Sequence, residues 1–514
     1  MAHSAPTSDQ RTVAVVIPTY SNQDLLSECL DSLSALDYPR HLLEVVVVDN
    51  SSTDDAGRLL RVRYPQVRHL RLERNEGFAG ACNRGAAHAS AEYVAFLNDD
   101  AVAEPHWLDG LFAGLDAGGE GAVCAASRIL SRDGQEIEYS GASANLFGVG
   151  RPRSAWGWPD APRPPGEGDP VLFASGGAML IHRRTFLDVG GFDPHYFAYF
   201  EDVDLGWRLW VLGHRVVYAP GAVVHHVGGA TGSRAPAHRR YTLWECNALA
   251  TVLKNYESEH MERILSAALL LLYRRALLSA GDAFRPEEYR LDAPPDTNTA
   301  NIERLPKVSV AHLAAIDRFN RLLPHFMAER QRIQAARVRP DADILPLLGR
   351  LWEPQFAGHE YARAARALAD ALDLYGITHP YALNRVLIAG HGDEDEQQAH
   401  MLAARLSHDV QVAVALTGPT AGPTEHHLER GYMVHTLQAD SPALHGLINQ
   451  ADAILVLPGA RHLEALQRAH VPIALISSGM GLEPAGPYPA VVLNAQDEAA
   501  IREFCLRPRL NPRP

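Results

Sequence analysis

The segment VAVVIPTYSNQDLLSECLDSLSALDYPRHLLEVVVVDN, residues 13–50, holds two short apolar runs on either side of a helical pattern. VAVVIP (13–18) and EVVVVDN (44–50) are almost continuously apolar and β-branched, so both faces of each strand must be covered. Between them, Leu26, Cys29, Leu30 and Leu33 recur at helical spacing. A strand, a helix and a second strand of this kind pair in parallel. The alternation continues through RLLRVRYP (58–65), HLRLE (69–73), a helix near 79–89 and YVAFLND (93–99). The expected architecture is an open α/β domain. Its ligands bind at the carboxyl ends of the strands, where Asp49 and the triplet Asn98-Asp99-Asp100 fall.

With 514 residues, 46% hydrophobic and 21% charged, the chain is expected to be soluble and to hold two or three separately cored domains. Its net charge of −14, with no dense Lys/Arg stripe, excludes a nucleic-acid footprint. An anionic substrate would need local help from a metal ion or an amide-lined loop. Five scattered cysteines (Cys29, Cys82, Cys124, Cys246, Cys505) with no CxxC pair suggest neither a disulfide framework nor a zinc site. A reducing, cytoplasmic setting fits. Residues 1–11 read as a disordered N-terminus, since MAHSAPTSDQRT lacks the apolar core of a signal peptide. ILSAALLLLYRRALL (264–278) is the most apolar window, but two arginines interrupt it. It reads as a buried helix, with a helix lying on a membrane surface, at the inner face of the membrane, as the alternative.

The α/β pattern extends over residues 12–235, with a Pro/Gly/Trp-rich loop at 150–170 as a candidate flap. Residues 236–372 read as mainly helical, and their amphipathic periodicity fits either an acceptor groove or a homo-oligomer interface. From 380 to 510 a second βα alternation (RVLIAG, VQVAVAL, YMVHTL, ADAILVLPG, VPIALISSG, AVVLNA) predicts a smaller Rossmann-like domain. Its GHGDEDE turn lacks the complete GxGxxG spacing and is acidic where a phosphate would lie. That domain is expected to be a scaffold or binding module.

VVIPTY, VVVDNSSTD, RNEGFAGACNRG, FLNDDA, SGGAMLIHR, GGFDPHYFAYFEDVDLGWRL and VVHHVGGATG occur in that order within about half of the chain. In this the chain resembles the inverting family-2 glycosyltransferases of GT-A fold, particularly rhamnosyltransferase-like members. The resemblance covers roughly residues 12–256. It implies hexosyl transfer from a dTDP or UDP sugar to a glycan or glycolipid hydroxyl in surface polysaccharide assembly, with Mn²⁺ or Mg²⁺ as cofactor.

The motifs can be read physically within that frame. Pro18, Thr19 and Tyr20 form a shelf for a nucleobase, and Asp49 accepts from its ring N–H. In the glycine-rich turn, Gly77 lets the backbone approach the nucleotide, and Asn75 and Asn83 offer amide contacts. The family's DxD motif aligns with Asn98-Asp99-Asp100, so asparagine replaces the first acid. The resemblance makes Asp100 the metal ligand and Asp99 a ribose or sugar contact, with Asn98 beside them. Hard oxygen ligands suit Mg²⁺ or Mn²⁺. It also supplies a histidine to the metal. Strand alternation allows only one of two adjacent histidines, with His226 preferred and His225 in reserve.

Inversion by single displacement needs a base on the acceptor side and no enzyme nucleophile. The ED motif at a helix start performs that task in the family. Asp202 is therefore the expected base, Glu201 the second choice, and Asp204 a support tied to Arg208 by i,i+4 spacing. Acidic residues in a first helical turn equally complement the helix dipole. Gly176 and Gly177 leave room for an acceptor sugar, and Trp207 is expected to stack on one. Replacement of the first DxD acid by Asn98 supports a competing reading, a non-catalytic scaffold in a glycan assembly complex.

Overall fold

The computed structural model describes residues 11–152, 165–226, 236–281, 305–348, 355–356, 359–378, 385–406, 411–417, 425–429, 432–437, 444, 453–458, 460, 473–477, 490–495, 497, 500–501 and 504–505. The chain divides into two compact units, residues 1–349 and 350–514. Most of the candidate flap at 150–170 lies outside the described residues, as does the GGAT segment after His226.

The first unit opens with β1 (Val13–Thr19), α1 (Gln23–Ser34), β2 (Leu43–Asp49), α2 (Ala56–Arg63), β3 (Arg68–Arg71), α3 (Gly77–His88) and β4 (Tyr93–Leu97). β1 pairs in parallel with β2 and with β4, and the register sets Thr19 opposite Asp49. Val13 to Ile17 have no exposed surface, as their continuous apolar run requires.

β5 (Ala101–Ala103), α4 (Trp107–Gly118), β6 (Ala122–Ser131), β7 (Ile137–Tyr139), β8 (Ala142–Ala144), β9 (Gly150–Pro152), β10 (Ala178–His182), α5 (Arg183–Asp188), α6 (Glu201–Val211) and β11 (Arg215–His226) follow. Among the described residues the sheet order is β3-β2-β1-β4-β10-β6-β11-β5, with β7 on β6. The parallel half thus continues into a mixed half, and two reversals there assemble the site. β10 runs antiparallel to β4 with Ala178 opposite Leu97, so the residues entering β10 meet those leaving β4. β11 runs antiparallel to β5 with His226 opposite Ala101, which returns the histidine to the acidic triplet.

Helices α7 (Ala237–Asn255), α8 (Ser258–Ala280), α9 (Lys307–Ala335) and α10 (Asp341–Ile344) belong to this same unit. α7 packs against both α6 and α9. The most apolar window lies on α8. Its Arg275 is buried and donates to Glu245 of α7, while Leu270 and Tyr273 are half exposed. Among the described residues, no helix is long and apolar enough to cross a membrane.

The second unit holds α11 (His359–Ala371), α12 (Leu374–Thr378), β12 (Arg385–His391), α13 (Asp393–Leu406), β13 (Gln411–Thr417), β14 (Glu425–Glu429), β15 (Tyr432–Leu437), β16 (Ala453–Val456), β17 (Ile473–Ser477) and β18 (Ala490–Asn494). The sheet order is β14-β15-β13-β12-β16-β17-β18. Without β14, which is antiparallel, the chain order across the sheet is 3-2-1-4-5-6, that of a Rossmann fold. β14 (EHHLE) was not expected, because its composition is polar.

Candidate active site

The site grows from the carboxyl ends of β1 and β4. Asp99 is buried and binds inward: its Oδ2 accepts from the Thr19 hydroxyl at 2.7 Å and its Oδ1 from the Asn22 amide at 3.2 Å. Burial pushes its carboxyl up to about 6, with Asp100 adding to the rise and the two hydrogen bonds opposing it. Asp99 therefore ties the two strand ends together, and its oxygens are already engaged within the protein.

Asp100 faces the other way. Its buried Oδ1 lies 3.1 Å from His226 Nε2 without hydrogen-bond geometry. His226 Nδ1 is 2.8 Å from Glu138 Oε2, on β7. A carboxylate orienting the ring through one nitrogen while the other points to a second carboxylate is the usual outer support of a metal-bound histidine. The separation also fits, because neighbouring ligands of one octahedral cation with bonds near 2.1 Å stand about 3 Å apart. Without a cation the same pocket favours a proton: burial would lower His226, but Asp100 and Glu138 outweigh it and raise it to about 9. His225, on the opposite strand face, meets Glu104 at 3.0 Å instead. His226 is thus the histidine brought to Asp100.

The dipeptide Gly176-Gly177 bridges to the second half of the site. A Cβ on Gly177 would lie 2.9 Å from the Asn98 amide, and Gly177 O accepts from Asn98 N–H at 2.9 Å. Gly176 N–H donates to Asp202 Oδ2 at 3.1 Å, and Asp202 Oδ1 accepts from Val203 N–H. Of the three carboxylates at the start of α6, Glu201 and Asp204 are buried and Asp202 is partly exposed. Burial raises the Asp202 carboxyl despite the two amide hydrogen bonds, which makes it a stronger proton acceptor than an ordinary exposed aspartate. Glu201, whose Oε2 has no hydrogen-bond partner, is pushed well up by burial and by Asp202.

α6 is entered through a strained turn. Phe197, Tyr199 and Phe200 all have positive φ (65°, 71° and 64°), each costing about 1–3 kcal/mol in a non-glycine residue. Phe197 presses on Gly77, itself at φ +75°, where a Cβ would come within 2.3 Å of Phe197 O. Behind the turn, Asp204 binds Arg208 and Lys254 Nζ, each at 3.0 Å, and Lys254 reaches Asp193 at 2.9 Å. The Asp204–Arg208 pair read from i,i+4 spacing is buried.

Several expected donor and acceptor contacts are not free to act as such. Pro18 is partly exposed and Tyr20 is 40% exposed at the end of β1, as a shelf requires. Asp49, however, has no exposed surface, and its oxygens accept from Ser52 N–H and Arg71. These bonds, with Arg71, hold its carboxyl below the usual range against the effect of burial. Asn75 Oδ1 accepts from Asn50 and from Gly77 N–H, shaping the turn. Asn83 is displaced from the nucleotide: both ends of its amide bind the backbone of Phe192. Trp207 cannot stack on a sugar, being wholly buried edge-to-face against Tyr256.

Glu138, Asn22, Asn247 and Lys254 were not anticipated, and only the topology brings them to the site. Among the described residues, two other clusters gather three potential ligand side chains, Asp193–His195–His325 and Glu257–His260–Asp341. Lys254 already neutralises the first. In the second, Arg337 lies 3.2 Å from Asp341, and Glu257 and Asp341 accept from each other's backbone N–H.

Models of two families match: Glycosyl transferase family 2 over residues 14–190 and Glycosyltransferase like family 2 over 165–247. The N-acetylglucosaminyl-diphospho-decaprenol L-rhamnosyltransferase of Mycobacterium tuberculosis is 34% identical over 249 residues, 44% of this chain and 79% of that protein. The O-antigen biosynthesis protein RfbC of Myxococcus xanthus is 30% identical over 241 residues, 45% of this chain and 18% of its own length. Among solved structures, GalNAc-T7 with UDP, GalNAc and Mn²⁺ covers half of each chain at 17% identity and a TM-score of 0.40.

Proposed function

The chain belongs to glycosyltransferase family 2, with a GT-A fold in its first unit, and on that premise we propose that it transfers an L-rhamnosyl unit from a dTDP sugar, with inversion, to a lipid-linked acceptor. The acceptor class is a sugar on a polyprenyl diphosphate, by analogy with the mycobacterial relative's name. A lipid-linked acceptor sets the protein to work at the cytoplasmic face of a membrane. A UDP hexose is the other donor class.

One observation carries the reading. The only partly exposed carboxylate at the start of α6, Asp202, is held by Gly176 N–H, and the next residue abuts Asn98 at the head of the acidic triplet. That geometry supports a base on one side of one small-residue loop and a diphosphate-facing pair on the other. Asp100 and His226 would hold a divalent cation, with Glu138 fixing the ring. When bound, that ion neutralises charge on the leaving diphosphate.

In the step itself, the acceptor oxygen forms a bond to the anomeric carbon as the bond to the diphosphate oxygen breaks. The acceptor hydroxyl proton passes to Asp202, and the nucleoside diphosphate departs. Gly176 N–H fixes Asp202 Oδ2, and burial raises its basicity, which favours its taking the proton. The glycines at 176 and 177 do not leave room for an acceptor sugar, as expected of them; they let Phe78 and Asn98 pack directly on the loop, where a Cβ would come within 2.9 Å of either.

The test is transfer from dTDP-L-rhamnose to a synthetic N-acetylglucosaminyl-diphospho-polyprenol in the presence of Mn²⁺, with UDP sugars in parallel. Asp202→Asn should lower kcat by 10²-fold or more, within the range for loss of a general base, while nucleotide binding stays within about twofold. Wild-type turnover by that variant would remove Asp202 from the role.

A further inference from the structure

The strained turn before α6 is held by a side chain outside the catalytic sheet. Asn247, on α7, is fully buried, and its Nδ2 lies 3.1, 3.0 and 2.7 Å from the carbonyl oxygens of Tyr196, Ala198 and Tyr199. Three carbonyls converging on one amide fix its orientation, because the amide oxygen would be repelled there. Its Oδ1 has no hydrogen-bond partner. A buried amide left half satisfied is unfavourable, so an apolar residue would serve a merely packed helix better. What an apolar residue cannot do is gather those carbonyls.

Their convergence has a consequence for the backbone. Residues at positive φ persist only where their surroundings over-determine them. Phe197, Tyr199 and Phe200 are held from one side by α3, where Ala79 N–H donates to Phe197 O at 3.2 Å, and from the other by Asn247. Phe200 O then accepts from Asp204 N–H at 3.0 Å, the first bond of α6. Asp202 lies between those two residues. Its direction toward Gly176 therefore depends on how the turn ends.

We propose that Asn247 is a positioning residue for Asp202: by gathering the carbonyls of residues 196, 198 and 199 it locks the left-handed turn that aims the carboxylate at the acceptor side of the site. This rests on the assignment of Asp202 as the base. Asn247 touches neither substrate nor reacting atoms. Its effect falls on the geometry of proton acceptance and leaves the donor end, built from β1, β4 and β11, as it is.

The experiment compares Asn247→Leu with Thr251→Val on the same helix. Thr251 bonds the Tyr196 hydroxyl at 2.9 Å and leaves the turn carbonyls alone. Hydrogen exchange followed by mass spectrometry should show the amides of Gly176 and Asp204 exchanging at least tenfold faster in N247L and unchanged in T251V. With dTDP-L-rhamnose and the polyprenyl acceptor, N247L should lose about 10–100-fold in kcat with donor KM within twofold, the scale of an ångström-sized misplacement. T251V should stay within twofold of wild type.

Should N247L be insoluble, Asn247→Ser, which keeps one donor, should give the same pattern at smaller amplitude. Unchanged exchange in N247L, or equal losses in N247L and T251V, would overturn the proposal. If Asp202→Asn kept wild-type turnover while N247L lost protection at Gly176 and Asp204, the assignment of the base would fail and the hold on the turn would stand. If Asp202→Asn were inactive and N247L fully active and protected, the reverse would follow.

Discussion

Lys254→Met tests whether the charge network behind α6 holds the fold together. The Lys254 ammonium is 1% exposed, 2.9 Å from Asp193 and 3.0 Å from Asp204, and it lies 4.5 Å from the centre of the Tyr196 ring. Methionine matches the stem and removes the charge, leaving two buried carboxylates with Arg208, His195 and His325 as their remaining basic neighbours. Breaking a buried ion pair by removing one partner costs about 3–5 kcal/mol. Taking an unfolding entropy of about 2.1 cal/mol/K per residue over a unit of roughly 340 residues, the Tm should drop by about 4–7 °C.

The pH dependence gives the sharper reading. Burial raises Asp193 and Asp204, but Lys254 and its neighbours outweigh that and hold both below the usual carboxylate range. Groups with depressed folded pKa values contribute stability that is present above the unfolded value, near 3.9, and is lost as pH falls through the folded one. The wild type should therefore lose this contribution only below about pH 4. In K254M the stranded carboxylates bind protons more readily, so the deficit should be largest at pH 7–8 and shrink toward pH 5. Urea unfolding followed by tryptophan fluorescence at pH 8, 7 and 5 measures it. A deficit below about 1 kcal/mol, or one equal at pH 8 and pH 5, would refute the reasoning.

Glu138→Gln should weaken Mn²⁺ binding in the presence of the nucleotide by about 10–100-fold, the usual effect of losing an outer carboxylate, and calorimetry reads it directly. His226→Ala should abolish that binding and His225→Ala leave it within twofold, since only His226 faces Asp100. Equal losses in the two histidine variants would contradict the assignment. Gly77→Ala meets both a positive φ and the Phe197 carbonyl, so it should destabilise by at least about 2 kcal/mol in thermal melting.

The first half of the fold was readable because its signals are local: continuous apolar strands and helical spacing between them settle a parallel sheet without any long-range information. The mixed half was not readable to the same degree. Nothing in AMLIH or VVHH states that one strand inserts antiparallel between β4 and β6 and the other turns back onto β5, yet those pairings bring Gly177 to Asn98 and His226 to Asp100. Glu138 was missed for the same reason, since it lies 88 residues from its partner His226. Alternation limited the histidines to one but left the choice open. The pairing with β5 makes that choice.

The two clearest displacements have different causes. Asn83 sits on α3, in a stretch whose glycines signal close approach, and the approaching backbone is that of residues 191–192: a Cβ on Gly191 would come within 2.5 Å of Asn83 Oδ1. Small residues report close contact without naming the partner. Trp207 was excluded by arithmetic already present in the chain. At about 100° per residue, five residues along α6 place it roughly 140° from Asp202, so a cleft-facing Asp202 turns Trp207 toward the interior. The same count puts Asp204 about 160° away, on the face that Lys254 and Asn255 cover. The helix leaves Asp202 partly exposed while it directs Asp204 into a buried charge network, and that network and the strained turn hold the helix start from opposite ends.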